Sequence, residues 1–336
     1  MNDAPLQPSS PACVPKRADP LAVSVIMPVY NGAQGLAAAV ESVLRQTLTN
    51  LELLIVDDAS SDDTARIAEK LAARDSRVQV LRQATNQGQS AARNLALERA
   101  RGAWVAPVDA DDEIRPDRLR RLTEAGERER ADLIADGILF HGARSPGTPP
   151  ELMTWGGIGK NDLEQLSAET LISSGNNGGS WSLGFLKPLM RRRFLNECNL
   201  RYEEDLRFAE DFNLYARALF CGARFLLFPE SHYVYWQTPE SASRTATMRI
   251  AHHALANSQG LRAAIPGAAS TGLTAALDEY EQRWLLLCWF EQIKHGVANR
   301  HFRQVIKGLF NLPASPGRVL RFARNRAATR RRASGG

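Results

Sequence analysis

Three carboxylates crowd the end of one short apolar run. Trp104-Val-Ala-Pro-Val108 leads directly into Asp109-Ala-Asp-Asp112. The run reads as a buried strand of a parallel sheet, and Pro116 then introduces a helix. Carboxylates packed at a buried strand end repel one another and need a counter-charge. In an open α/β sheet, that edge is also where ligands bind. Asp109 and Asp111 are two apart, so in an extended segment they point to one side. Together they could hold a hard divalent cation, which takes oxygen ligands and carries nucleotide phosphates. Taken alone, an Asp-x-Asp pair is most often a solvated acidic turn, so the elements upstream decide its meaning.

Those elements alternate. Ala22 to Val29 and Leu51 to Val56 are Val/Ile/Leu-rich and read as buried strands, the second ending in Asp57-Asp58. Between them, Asn31-Gly32 turns the chain, and Leu36, Ala39, Val40, Val43 and Leu44 recur at helical spacing. Ser60 to Asp63 can cap a helix from Thr64. Val78 to Leu81 is a shorter strand, Gln89 to Arg99 an Ala-rich helix, Asp117 to Arg130 a charged helix and Leu133 to Phe140 another strand. Alternation of this kind predicts an α/β fold, a mostly parallel sheet flanked by helices. Asp57-Asp58 serves equally as a capping turn or as part of a site. Neither G-x-G-x-x-G nor G-x-x-x-x-G-K-[ST] occurs, so phosphate charge would be met by a metal on the acids, together with Arg93.

Composition bounds the rest. Of 42 Lys and Arg residues, eleven lie beyond Glu291, where there is no Asp or Glu; the remaining 31 face 37 acids, so the body carries −6 although the chain carries +5. A mildly acidic body argues against nucleic acid as a partner. Cys13, Cys198, Cys221 and Cys288 are scattered without a Cys-x-x-Cys, which argues against a zinc site or disulfide framework. Residues 1–20 are rich in Pro, Ser and Ala, lack a basic-then-apolar pattern and read as a disordered leader. The expected compartment is the cytoplasm.

Four blocks in order, Ser24-Val-Ile-Met-Pro-Val-Tyr-Asn31, Leu54-Ile-Val-Asp-Asp-Ala-Ser-Ser-Asp-Asp-Thr64, Asn86-Gln-Gly-Gln-Ser-Ala-Ala-Arg-Asn94 and Val108-Asp-Ala-Asp-Asp112, resemble family 2 glycosyltransferases. The resemblance covers roughly the first 130 residues. It implies a GT-A fold, a nucleotide-sugar donor (usually a UDP-sugar), Mn²⁺ or Mg²⁺, and inversion at the anomeric carbon. By the same resemblance, Pro28, Val29, Tyr30 and Asn31 line the nucleoside pocket, Asp58 bonds the uracil and Arg93 lies near the nucleotide. Asp109 with Ala110 meets the ribose or the metal, and Asp111 ligates the metal.

The acceptor is then expected on the second half: 21–130 as the nucleotide-binding half, 131–245 as the acceptor half, and 246–336 as a helical extension. Trp181, in a Gly/Ser/Asn-rich loop, could stack on a sugar, although beside Leu183 and Phe185 it also reads as core. From Glu210, the residues Asp211, Leu214, Tyr215, Ala218 and Leu219, then Gly222, read as a helix with a glycine C-cap. Acids in its first turn suit the helix dipole without chemistry. The resemblance assigns them more: Glu210-Asp211 stands where the family's general base sits, which makes Asp211 the base. Glu203-Glu204-Asp205 is the rival. Thr238 stands where many members carry a histidine, which leaves open whether His232 or Arg244 substitutes or the metal has fewer protein ligands.

Other classes fit less well. Aspartate-nucleophile phosphatases place their motif on the first strand, and sugar-nucleotide pyrophosphorylases carry a Gly-rich, Arg-containing N-terminal loop absent here. A catalytically silent member that binds glycan or an assembly partner is the alternative from another class. The expected acceptor is a glycan or polyprenyl-linked oligosaccharide. The basic tail 314–336 reads either as a solubilising disordered segment or as an amphipathic helix on the cytoplasmic face of the inner membrane.

Overall fold

The computed structural model describes residues 21–141, 151–152, 162–175, 182–236, 247–267 and 270–298. Trp181, Thr238, Arg244, the leader 1–20 and the tail 314–336 lie outside these residues.

The strands are β1 (Val23–Val29), β2 (Leu51–Asp57), β3 (Val78–Arg82), β4 (Trp104–Pro107), β5 (Glu113–Ile114), β6 (Leu133–His141), β7 (Glu151–Leu152), β8 (Glu164–Leu166), β9 (Leu189–Arg191) and β10 (Phe225–Trp236). The helices are α1 (Leu36–Leu44), α2 (Thr64–Arg74), α3 (Gln89–Arg99), α4 (Arg118–Arg128), α5 (Ala168–Ser174), α6 (Arg192–Glu197), α7 (Glu210–Phe220), α8 (Thr247–Ala264) and α9 (Thr271–Ala298). The ends read from the sequence for β1–β4, β6 and α1–α4 lie within 1–2 residues of these.

Every residue of β1 and β2 is buried, the signature of strands covered on both faces. Their side chains alternate between two cores. Ile26, Leu54, Val56 and Val105 meet α3, α5, α7 and the C-terminal helices. Val25, Met27, Leu53, Ile55 and Trp104 meet α1, α2 and α4. The α1 residues buried there include Leu36, Ala39, Val40 and Val43, as their spacing requires.

The sheet runs β3-β2-β1-β4-β9-β6-β10-β5, with β7 on β6 and β8 on β10. Its first four strands are parallel. Beyond them it is mixed: β9 lies antiparallel between β4 and β6, and β5 and β8 lie antiparallel to β10. β6 and β10 pair in parallel again, so the expected mostly parallel sheet holds, with short antiparallel strands added in its second half. The three residues of β9 are too few to show a period, and only their tertiary neighbours define them as a strand.

Parallel register brings the strand ends to one edge. Val29 aligns with Asp57, and Ile26 aligns with Pro107, so Tyr30, Asn31, Asp58 and Asp109 emerge together. On the other side of that edge, α7 begins at Glu210 and ends before Gly222, which has φ 84° as a glycine terminator should. Among the described residues, no helix is long and apolar enough to cross a membrane.

Candidate active site

The acids after β4 form a closed turn. Asp112 N donates to Asp109 O at 3.1 Å, so the extended geometry expected for Asp109 and Asp111 is replaced by a turn. Asp112 turns inward, accepting from the Tyr233 hydroxyl at 2.7 Å and from Trp236 N at 3.0 Å, while Asp109 N donates to the same hydroxyl. Burial, with the charges of Asp111 and Asp109 beside it, pushes the Asp112 carboxyl well above the usual range. Asp111 points outward and is exposed. Gly35 backs the turn so closely that a Cβ there would lie 2.9 Å from Ala110 O. That close approach is what this glycine permits.

Asp109 is neutralised from within the chain. Its Oδ1 lies 2.8 Å from Arg93 Nη2, and its Oδ2 lies 2.9 Å from Lys187 Nζ. Burial opposes ionisation, but the Lys187 and Arg93 charges outweigh it and hold the carboxyl far below the usual range. Both oxygens are thus engaged by cations, and the expected Asp109–Asp111 chelate is not the arrangement present. Among the described residues, no cluster of three His, Cys, Asp or Glu side chains could hold a metal. Asp111, exposed at the turn, could supply an oxygen ligand to a Mg²⁺ or Mn²⁺ ion.

The same two cations reach the other side of the edge. Arg93, fully buried on α3, places Nη1 2.9 Å from Glu210 Oε1 and 3.4 Å from Asp211 Oδ1. Lys187 Nζ lies 2.7 Å from Asp211 Oδ2. Three acids from two elements therefore surround two cations from two others. Burial and the adjacent Asp211 charge push the Glu210 carboxyl up. For Lys187, Asp109 and Asp211 outweigh burial and keep the ammonium charged. Asp211 is 8% exposed, and its Oδ1 accepts no hydrogen bond among the described residues.

The remaining expected residues distribute unevenly. Tyr30 is 53% exposed and Asn31 is exposed, whereas Pro28, Val29 and Ala110 are buried and support the edge from beneath. Asn31 is locked by its own turn, φ 50°, with Oδ1 accepting from Ser61 N. The Asp58 carboxylate accepts from Gln87 N at 2.7 Å and Gly88 N at 2.8 Å. In this state it fixes the 86–88 loop, which Arg207 reaches through Gln87 O. The rival acids lie elsewhere: Glu203 pairs with Arg217, and Glu204 accepts from Asn94. His232 stands between Asp136 and Glu230, away from the three acids.

Lys187 was missed by sequence reasoning. Its one signal is a lone charge inside Phe185-Leu-Lys-Pro-Leu-Met190, since a charge in an apolar run must find a partner when buried. The fold prepares its place. Lys187 O accepts from the buried Arg118, and Tyr215 donates from its hydroxyl to Leu186 O at 2.8 Å.

The chain is similar in sequence and fold to known proteins. A model of glycosyl transferase family 2 matches residues 24–183. The succinoglycan biosynthesis protein ExoO of Rhizobium meliloti is 34% identical over 231 residues, covering 68% of this chain and 64% of that protein. The putative teichuronic acid biosynthesis glycosyltransferase TuaG of Bacillus subtilis is 42% identical over 200 residues, covering 54% of this chain and 78% of its own. The chain thus spans less than two thirds of the succinoglycan protein. Among solved structures, S. aureus TarS 1–349 in complex with UDP-GlcNAc superposes with a TM-score of 0.61 at 22% identity, covering 89% of this chain and 82% of that one. At that identity the likeness speaks for the fold, which is the expected GT-A architecture with C-terminal helices. With the strand-end acids in the family's order and a close relative covered over most of its length, the chain belongs to glycosyl transferase family 2.

Proposed function

We propose that this chain transfers a sugar from a nucleotide-sugar donor, a UDP-sugar first, to a hydroxyl of a glycan or polyprenyl-linked acceptor. Its relatives named for succinoglycan and teichuronic acid biosynthesis support an acceptor in bacterial polysaccharide assembly. The observation that carries the reading is the placement of Asp211. A buried carboxylate opens α7 directly across the strand edge from Asp109, with one oxygen held and the other without a hydrogen bond among the described residues. A hydroxyl is a poor nucleophile, and a carboxylate within hydrogen-bond reach takes its proton as the new bond forms. One base facing the acceptor, on the side away from the departing diphosphate, gives direct displacement and inversion.

Tyr30 and Asn31 border the nucleoside, Asp58 and its 86–88 loop close against it, and Arg93 lies near the nucleotide. Mn²⁺ or Mg²⁺, when bound, offsets the charge developing on that diphosphate. Asp111 is the residue that would hold it. Glu210 keeps Arg93 in place beside the base.

The test is turnover with UDP-GlcNAc, UDP-glucose, UDP-galactose and GDP-mannose, read as release of nucleoside diphosphate with Mn²⁺ and a crude glycan acceptor. Asp211→Asn is expected to cut turnover by on the order of 10² to 10⁴ with donor affinity nearly unchanged. Asp111→Asn is expected to remove the Mn²⁺-dependent part of UDP affinity. A wild-type chain that binds glycan but releases no nucleotide from any donor would favour the silent alternative.

A further inference from the structure

Lys187 is a charged side chain whose cost the fold accepts in full. It is 7% exposed, and its ammonium is shared by a carboxylate from the turn after β4 and one from the first turn of α7. A buried ion-paired set placed only for stability would be better replaced as a whole by apolar side chains, because desolvating the charges often offsets what the pairing returns. The second observation lies on Asp211. The Nζ contact at 2.7 Å is a hydrogen bond to Oδ2, whereas Arg93 stands 3.4 Å from Oδ1, and Oδ1 is buried with no hydrogen bond among the described residues. Buried polar atoms are ordinarily hydrogen-bonded, so a carboxylate oxygen that has only a 3.4 Å ion pair leaves its hydrogen bond for a donor from outside.

Resting on the reading of Asp211 as the base, we propose that Lys187 is its positioning residue: the ammonium anchors Oδ2 so that Oδ1 alone is presented to the acceptor hydroxyl. The acceptor's proton then passes to Oδ1 while the anchor stays in place. Because the same ammonium holds Asp109 Oδ2, the base is set in register with the donor-side turn as well as with its own helix. Arg93 ties Asp109 to Glu210 in parallel, so the donor and acceptor halves are aligned through two cations. The backbone of Lys187 is itself fixed, by Arg118 on its carbonyl and by Tyr215 on the preceding one. The anchor point therefore does not depend on side-chain freedom alone.

The test is a double-mutant cycle of Lys187→Met and Asp211→Asn in the full chain, with Lys187→Arg as the conservative variant. Misplacing a catalytic group by about an ångström costs roughly 10²-fold, so Lys187→Met is expected to lower kcat by about that factor. Donor KM should change less than about threefold, and Lys187→Arg should recover at least about tenfold of the loss. Coupling separates positioning from general damage, since residues acting as a unit are not additive. The double variant should turn over within about threefold of Asp211→Asn alone. Additive losses, or no rescue by arginine, would overturn the proposal.

A stability cycle needs no donor. Lys187→Met leaves the buried Asp211 and the part-buried Asp109 short of a cation and should lower Tm, and adding Asp211→Asn should restore part of the loss. Absence of that recovery overturns the anchoring contact by itself. The two readings fail differently: an Asp211→Asn chain with full turnover ends the base assignment, whereas an impaired Asp211→Asn beside an unimpaired Lys187→Met ends only the positioning role.

Discussion

At the scale of single residues, this molecule spends its buried charges in matched sets. Arg93, Lys187 and Arg118 are all buried; the first two share the carboxylates after β4 and at the start of α7, and Arg118 faces Asp136 of β6. The Arg118–Asp136 pair tests the principle away from the site. Arg118 Nε lies 3.0 Å from Asp136 Oδ1, and both side chains are enclosed. Burial opposes ionisation of Asp136, but the Arg118 charge and hydrogen bonds from His232 and Arg118 hold its carboxyl below the usual range. A depressed folded-state value means stability that is present above the unfolded value, about 3.9, and is lost as pH falls through the folded value. Asp136→Asn is therefore expected to cost about 3–5 kcal/mol at neutral pH by stranding Arg118. Below about pH 4 the variant's stability should fall less steeply with acid than the wild type's. Urea titrations across pH 3–7 check both, and parallel curves for the two proteins would refute the pairing.

At the scale of elements, the start of α7 carries the tension. Ala209 stands at its N-cap in the left-handed region, φ 61°, and makes no side-chain cap. For an L-residue that conformation costs roughly 1–2 kcal/mol, whereas glycine adopts it freely at a smaller entropic cost. The backbone is held there by its neighbours, with Ala209 O accepting from Asn213 N and from the Asn257 side chain. This tight entry aims Glu210 and Asp211 inward as the helix begins. Ala209→Gly is expected to raise stability by about 0.5–1 kcal/mol in thermal melts, and Ala209→Val to lower it. If glycine destabilises instead, the strained entry is held more cheaply than the dihedral implies.

At the scale of the whole molecule, the C-terminal helices are part of the same body as the sheet. Leu261, Leu273, Leu277 and Tyr280 share one apolar core with Ile26, Leu54 and Phe212. Tyr280 stacks on Phe212 of α7 at 5.1 Å between ring centroids, and Asn257 of α8 bonds Asn213 of α7 at 2.7 Å. The helix that bears the candidate base is thus gripped from behind by the segment after residue 246. Tyr280→Ala is expected to cost about 3–5 kcal/mol, as other large core truncations do. Calorimetry should still show one transition. A second, lower transition in the wild type would mean that the extension folds as its own unit.

The amino-acid sequence alone determined much of the acidic strand edge. Continuous apolar runs such as Leu51 to Val56 encode burial on both faces, and their acidic ends mark one edge of a sheet whatever lies beyond it. Glu210-Asp211 before a 3.6-residue period, with Gly222 after it, likewise fixes a helix and its first turn. Both signals are local, carried by residues within one or two turns of each other. What neutralises those acids is not local. Arg93 and Glu210 stand 117 positions apart, and Lys187 reaches Asp109 only because β9 inserts between β4 and β6. Residues 182–200 show no period, so neither the short strand nor the lysine beside it could be placed before the sheet was assembled. The sequence therefore specified where negative charge gathers, and the tertiary structure chose its partners, because an ion pair is set by distance in space and a pattern only by distance along the chain.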